Sequence, residues 1–358
     1  MKKILLFMTG GTICSTVGDN GLNNTDAKSA RSVLVENYMK SNPALKGEVE
    51  FENLFLTEKG ILSENMTLDT WNMMIKALKS VDFSRYDGMI ILHGTDTLAY
   101  TSSLMSILLG GIGIPVFMVS SNYVLTDKRA NGYANFRTAA DLILNDTKPN
   151  VYVPYLNSDG KMYVHLASRI KQCEPYSCDF YSVSPEITDT GKAKIDGTLS
   201  SGEAYINKID KLLPGVLLIS PYVGLNYDAI SLGGCRAVLH GTYHSQTVCV
   251  ERYTRGDTFS GYSVLSLKDR CDKENIPLFM YACSENSFSY SSTGDLYLRN
   301  GGKDTKEPSK KYGFVGLYGM TLEMSYTKLI VATSLTSDRE KIVDFMKKEI
   351  NGEYCYKE

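Results

Sequence analysis

No apolar run in this chain approaches the eighteen residues that a helical membrane span requires, so spanning helices are excluded. One-signed charge is missing too: 38 lysines and arginines against 40 aspartates and glutamates leave a formal net charge of −2, which offers nucleic acid no electrostatic footprint. None of the eight cysteines stands in a C-x-x-C pair. Of the four histidines only His240 and His244 have a metal-ligand spacing. The residues between them read as strand end and loop, where the two rings would not face together, so a zinc site is not expected. The thiols are read as free ones of a reducing compartment. The opening "MKKILLF" is basic, but its apolar run is too short for a signal peptide and no small-residue cleavage site follows. It reads as a first strand. Internal repeats and low-complexity stretches are absent as well.

What is present is ordinary globular material. At 43% hydrophobic and 22% charged residues, the 358-residue chain has ample apolar content for a core, and its length suggests two domains. Short β-rich runs fall at Ile4–Met8, Met89–Leu92, Val116–Val119, Val151–Val153, Val216–Ile219, Ala237–Leu239 and Leu278–Tyr281. Helix-period segments fall at Thr67–Leu78, Leu98–Leu109, Tyr133–Leu144, Tyr262–Lys273, Thr321–Ala332 and Asp338–Ile350. Buried strands without clean alternation, separated by helices, predict α/β architecture with a parallel sheet covered on both faces. Between Ile187 and Leu213 the chain turns polar and small-residue-rich. An N-terminal catalytic α/β domain over 1–188, a linker over 189–212 and a C-terminal α/β domain over 213–358 are therefore expected.

Two polar clusters follow apolar runs, where open α/β sheets place ligands. The first is "MTGGTICS" after the opening strand; the second lies inside "YDGMIILHGTDTLAY". Thr9-Gly10-Gly11-Thr12 is neither a Walker A loop nor a G-x-G-x-x-G fingerprint, and a glycine turn with a capping threonine would account for it equally well. In "HGTDT", capping of the next helix by Asp96 or Thr97 accounts for part of the pattern. It leaves His93 and Thr95 unexplained. A threonine hydroxyl becomes a nucleophile only beside a base, and Asp96 could orient that base or hold an ammonium.

"TGGTI" and "HGTDT", in this order and roughly 80 residues apart, together resemble the bacterial-type L-asparaginases of the asparaginase/glutaminase superfamily. "LSENMTLDTW", "KRANGYANFRTAADLIL", "SRIKQCEPYSCDF" and "YGMTLEMSYTKLIVA" extend the similarity over nearly the whole chain. The resemblance implies a two-domain α/β fold, with a larger, mainly parallel-sheet N-terminal domain and a smaller C-terminal one. It implies Thr12 as nucleophile, and Thr95, Asp96 and Lys171 as the second hydroxyl centre. Ser63 and Asp96 would hold the substrate α-carboxylate and α-ammonium, with Glu64 beside them. Neutral Lys171 would take the Thr95 proton, which asks for burial and a crowded polar site. Backbone donors near Thr95 and over Val119–Asn122 would stabilise the oxyanion. No metal or organic cofactor is implied; the partners are a small amino-acid amide and further copies of the chain, as a homodimer or homotetramer. The cytoplasmic branch is implied, without nucleic acid or membrane.

The sequence also departs from that pattern. Leu22 stands nearest the expected lid tyrosine, and Glu64 replaces a neutral residue. "VSSNYV" at 119–124 and "TYHSQT" at 242–247 replace glycine-containing segments, and Arg169 lies one position closer than usual to Lys171. Hydrolysis of L-asparagine is the favoured expectation. The alternatives are a glutaminase or another amide-specific relative, or a catalytically weak amino-acid-binding homologue. No obvious extra domain for presenting a transfer RNA is seen, which argues against a component of an amidotransferase.

Overall fold

In the computed structural model the described residues are 1–17, 23–183, 202–250, 260–283 and 314–354. Leu22 lies outside them. The chain divides into two compact units: Met1–Lys211 with the returning tripeptide Ile350–Gly352, and Leu212–Glu349 with the chain from Glu353.

In the first unit the strands are β1 (Lys2–Met8), the short hairpin β2 (Ser15–Val17) and β3 (Asn23–Thr25), β4 (Val49–Phe55), β5 (Gly88–Leu92), β6 (Val116–Val119), β7 (Val151–Leu156), β8 (Met162–Leu166), β9 (Ile170–Lys171) and β10 (Tyr181–Ser182). Its helices are α1 (Ala27–Ser41), α2 (Leu68–Lys79), α3 (Leu98–Leu109) and α4 (Gly132–Leu144). The main sheet runs β4-β1-β5-β6-β7-β8, parallel as far as β7 and antiparallel at the β8 edge. Alternate strand residues Ile4, Leu6, Ile90 and Phe117 pack with Tyr38 of α1 and Phe136 of α4. Leu5, Phe7, Ile91 and Met118, on the opposite face, are buried too. Both faces are therefore covered, as the unbroken apolar runs predict.

Helix starts follow the local chemistry. Asp26 accepts from the Ser29 amide ahead of α1, and Thr67 from the Thr70 amide ahead of α2. Helix α3 is buried at eleven of its twelve positions, and Thr101 on it accepts from the Trp71 indole of α2 at 3.1 Å. The tripeptide Ile350–Gly352 is built into this unit. Asn351, 1% exposed, donates through Nδ2 to the Ser106 carbonyl near the end of α3. Its own carbonyl accepts from Ser168 Oγ at 2.8 Å, and the Gly352 carbonyl accepts from Arg169 Nε at 2.6 Å.

The second unit is a four-stranded sheet of β11 (Val216–Ile219), β12 (Ala237–His240), β13 (Leu278–Cys283) and β14 (Val315–Tyr318), in sequence order and parallel. Among the described residues its helices are α5 (Val264–Lys273), Leu322–Leu335 and Arg339–Lys347. Lys328 and Glu353 form an ion pair at 2.6 Å with both side chains fully buried, and Lys328 Nζ also donates to the Lys348 carbonyl at 2.5 Å. Among the described residues no helix is long and apolar enough to cross a membrane.

Candidate active site

In the first unit β1 lies between β4 and β5, so the chain leaves β1 toward one side and later returns on the other. A crevice at such a reversal, outside the carboxyl ends of the strands, is where open α/β sheets bind ligands. The segments 9–12 and 93–97 leave β1 and β5 at that point, so the structure brings both sequence clusters to one place.

Glycine closes the distance between them. Gly11 has φ 82 and lies so close to Gly94 that a methyl group on it would overlap the Gly94 backbone. A methyl group on Gly94 would in turn overlap the Ser63 side chain. Gly10 pairs with Ile61 in an isolated parallel bridge, and the Ile61 amide donates to the Thr9 carbonyl at 2.8 Å. Three turns are thus stacked backbone to backbone, with Thr12 and Thr95 each following the glycine at the contact. Both threonines are half-buried. Thr12 opens a 3-10 turn, Thr12–Cys14, capped by Gly11. Thr9 Oγ1 donates to the Leu92 carbonyl at 2.7 Å and pins the turn to the end of β5.

Ser63, 3% exposed, donates through Oγ to Asp96 Oδ2 at 3.2 Å and accepts from the Asp96 amide at 3.2 Å. Thr97 Oγ1 donates to the Ser63 carbonyl at 2.9 Å. Asp96 is exposed, so its carboxylate is open to an incoming cation. Glu64 is exposed as well, in the 3-10 turn Ser63–Asn65 ahead of α2.

His93 is fully buried at the end of β5, and its Nδ1 lies 2.7 Å from the Gly94 carbonyl. A carbonyl only accepts, so Nδ1 carries the proton. Burial pushes the His93 pKa down to about 4, against opposing contributions from the Gly94 carbonyl and Asp96. The neutral ring holds the peptide that leads into Thr95. That is the role capping left unexplained.

The expected capping of α3 is not made by a side chain of its own. Thr97 stands at the cap position, but its hydroxyl is turned to Ser63. Gln172 supplies the bond instead: its Oε1 accepts from the Ala99 amide at 3.4 Å, and its Nε2 donates to the Thr95 carbonyl at 3.1 Å. Sequence reasoning missed Gln172, although strand alternation carried the signal. Ile170 is buried, Lys171 is exposed, and the next residue turns inward again. Lys171 precedes the residue that bonds the Thr95 carbonyl, but it is exposed and lacks the burial expected for it. Phe180 is buried and edge-on to Tyr155 with centroids 4.8 Å apart, which anchors the return of the hairpin.

In the segment 119–124, Ser120 and Ser121 are buried, and the Asn122 amide is already engaged by Asn131 Oδ1 at 3.0 Å. That removes one expected oxyanion donor. Residues 242–247 form a tight turn in the second unit, with the Tyr243 amide donating to the Thr247 carbonyl at 2.9 Å. His240 is buried against the Tyr227 hydroxyl at 2.9 Å, while His244 is exposed.

The family model "Asparaginase, N-terminal" matches residues 3–200. The L-asparaginase of Thermococcus kodakarensis is 27% identical over 365 residues, spanning 98% of each chain. A solved structure of the thermostable enzyme from that organism superposes with a TM-score of 0.73 at 22% identity, over 98% of each chain. A solved structure described as a probable cytoplasmic L-asparaginase from Campylobacter jejuni gives a TM-score of 0.68 at 18% identity, over 98% of this chain and 100% of that one. One component of the glutamyl-tRNA(Gln) amidotransferase of Methanosphaera stadtmanae is 22% identical over 379 residues, covering 98% of this chain and 76% of the relative.

Proposed function

The chain belongs to the asparaginase family, and from that premise we propose that it hydrolyses the side-chain amide of L-asparagine, giving L-aspartate and ammonia. The observation that carries this reading is the stack of Gly11, Gly94 and Ser63. It brings the two turns that carry Thr12 and Thr95 together next to a serine–aspartate pair at the reversal of the sheet, which supports the reading.

In this mechanism the Thr12 hydroxyl attacks the amide carbon and forms an acyl ester, while the amide nitrogen takes a proton and leaves as ammonia. Water then attacks the ester and restores the hydroxyl. Thr95 and Lys171 relay the proton, which in this reading requires the exposed Lys171 side chain to turn in to Thr95 when substrate is bound. Asp96 pairs with the substrate ammonium, Ser63 receives the α-carboxylate, and Glu64 lies at the rim of the same pocket. Neither a metal nor an organic cofactor has a step to perform in this scheme. The enzyme is read as a cytoplasmic homodimer or homotetramer, which sedimentation would test.

The likeness to an amidotransferase component favours a second reading, in which ammonia is produced from glutamine or from an amide on a larger carrier. Ammonia release from the purified protein, with L-asparagine, L-glutamine and D-asparagine in parallel, separates the two. Preference for L-asparagine supports the first. Failure to turn over any free amide removes it.

A further inference from the structure

A side-chain amide performs, at the contact between the β9–β10 hairpin and α3, a task that needs a donor and an acceptor on one side chain. Thr97 has turned away from the helix end, so the Ala99 amide, one of the free donors of the first turn, needs an acceptor. Gln172 Oε1 is that acceptor at 3.4 Å. The other end of the same carboxamide donates to the Thr95 carbonyl at 3.1 Å and to Cys173 Sγ at 3.4 Å. Lysine could donate but not accept, and ionised glutamate could accept but not donate. The Thr95 carbonyl is held from the other side of the turn as well, since it also accepts from the Leu98 amide at 3.3 Å.

We propose that Gln172 is a positioning residue for the reaction: it fixes the Thr95–Asp96 peptide from the hairpin side and fastens to α3 the hairpin that carries Lys171. This rests on the amidohydrolase reading above, and it concerns a residue that touches no substrate. Asp96 keeps its two bonds to Ser63 when Gln172 is lost, so the loss acts on kcat more than on KM. A displacement of about 1 Å at a reacting group costs on the order of 100-fold.

The test is a pair of variants. Gln172→Ala should lower kcat about 10- to 100-fold with KM changed less than about threefold. Gln172→Glu keeps the shape and the bond to Ala99, but opposes a carboxylate to the Thr95 carbonyl at neutral pH. A carboxylate so placed titrates above its ordinary range, and once protonated it donates. The kcat ratio of Gln172→Glu to wild type should therefore climb as pH falls from 8 to 5. The Gln172 amide touches Cys173, on which Asp96 of the turn and Cys178 of the hairpin act, and these groups, with Lys171 and Tyr100 beside them in the sequence, are common to both proteins. Burial pushes the Cys173 thiol up, so it stays protonated over that range. A flat ratio, or an unchanged kcat in Gln172→Ala, overturns the proposal. Amide exchange at Ala99 gives a readout free of activity. It should be faster in Gln172→Ala, and equal rates would overturn the contact itself. Should the wild-type protein release no ammonia from any amide, the hydrolase reading falls, and the exchange rates still decide the role of Gln172.

Discussion

The positions of Thr12 and Ser63 lead to different kinetic signatures. Removing the Thr12 hydroxyl takes away the proposed nucleophile, so Thr12→Ala should lose several orders of magnitude in kcat while retaining the fold. Ligand-induced stabilisation by L-aspartate, kept in the variant alongside lost turnover, is the measurement that confirms it. Ser63→Ala should instead raise KM about 10- to 100-fold, because a hydrogen bond to a charged group contributes roughly 1.5–3 kcal/mol. An unchanged KM would remove Ser63 from the binding site. Gly11→Ala is a third case: at φ 82 and against the Gly94 backbone, a methyl group forces the two turns apart. Activity should vanish, and the denaturation midpoint should fall as well. The motif threonines, aspartate and serine were legible because their residue types sit at strand ends in a recognisable order. Gln172 was not, since its role depends on a contact with a helix end some seventy residues earlier.

At the scale of elements, the central strands and most helices could be read from apolar runs, and the structure places them within a few residues of the expected bounds. The edges could not be read. Strand β4 has charged residues at Glu50 and Glu52 and is only half-buried, so its sequence lacks the unbroken run of β1 or β5. Helix α1 mixes serines and lysines with its apolar face, which blurs the period. The antiparallel turn of β8 depends on pairing that local sequence does not encode. In the second unit, the Lys328–Glu353 pair ties the helix Leu322–Leu335 to the chain after the last helix. Burial lowers the Lys328 pKa, and Glu353 resists the shift. Removing one partner of a buried pair leaves an uncompensated charge and costs about 3–5 kcal/mol. Glu353→Ala should show that loss in urea unfolding of the second unit. A Lys328→Met, Glu353→Leu double variant should recover much of it. A single variant of wild-type stability would mean that the charge finds water.

For the molecule as a whole, acid is the predicted weakness. Burial holds His93, His165 and His240 near pKa 4, below the 6.5 of a free histidine. An unfolded chain therefore binds protons that the folded one refuses, so stability rises with pH between about 4 and 6.5 and is flat above that window. Two of the three histidines belong to the first unit and one to the second. Urea midpoints taken from pH 7 to pH 4.5 should fall further for the first unit; midpoints that hold steady would mean that the rings are accessible to protons in the native state. Ile350–Gly352 has a consequence in time rather than in energy. Asn351 and Gly352, which accept from Ser168 and Arg169, are made only after nearly all of the second unit has been synthesised, so at 5–20 residues per second the first unit waits on the order of ten seconds for its last piece. On the ribosome, then, the unit that is begun first stays open until almost the end of synthesis.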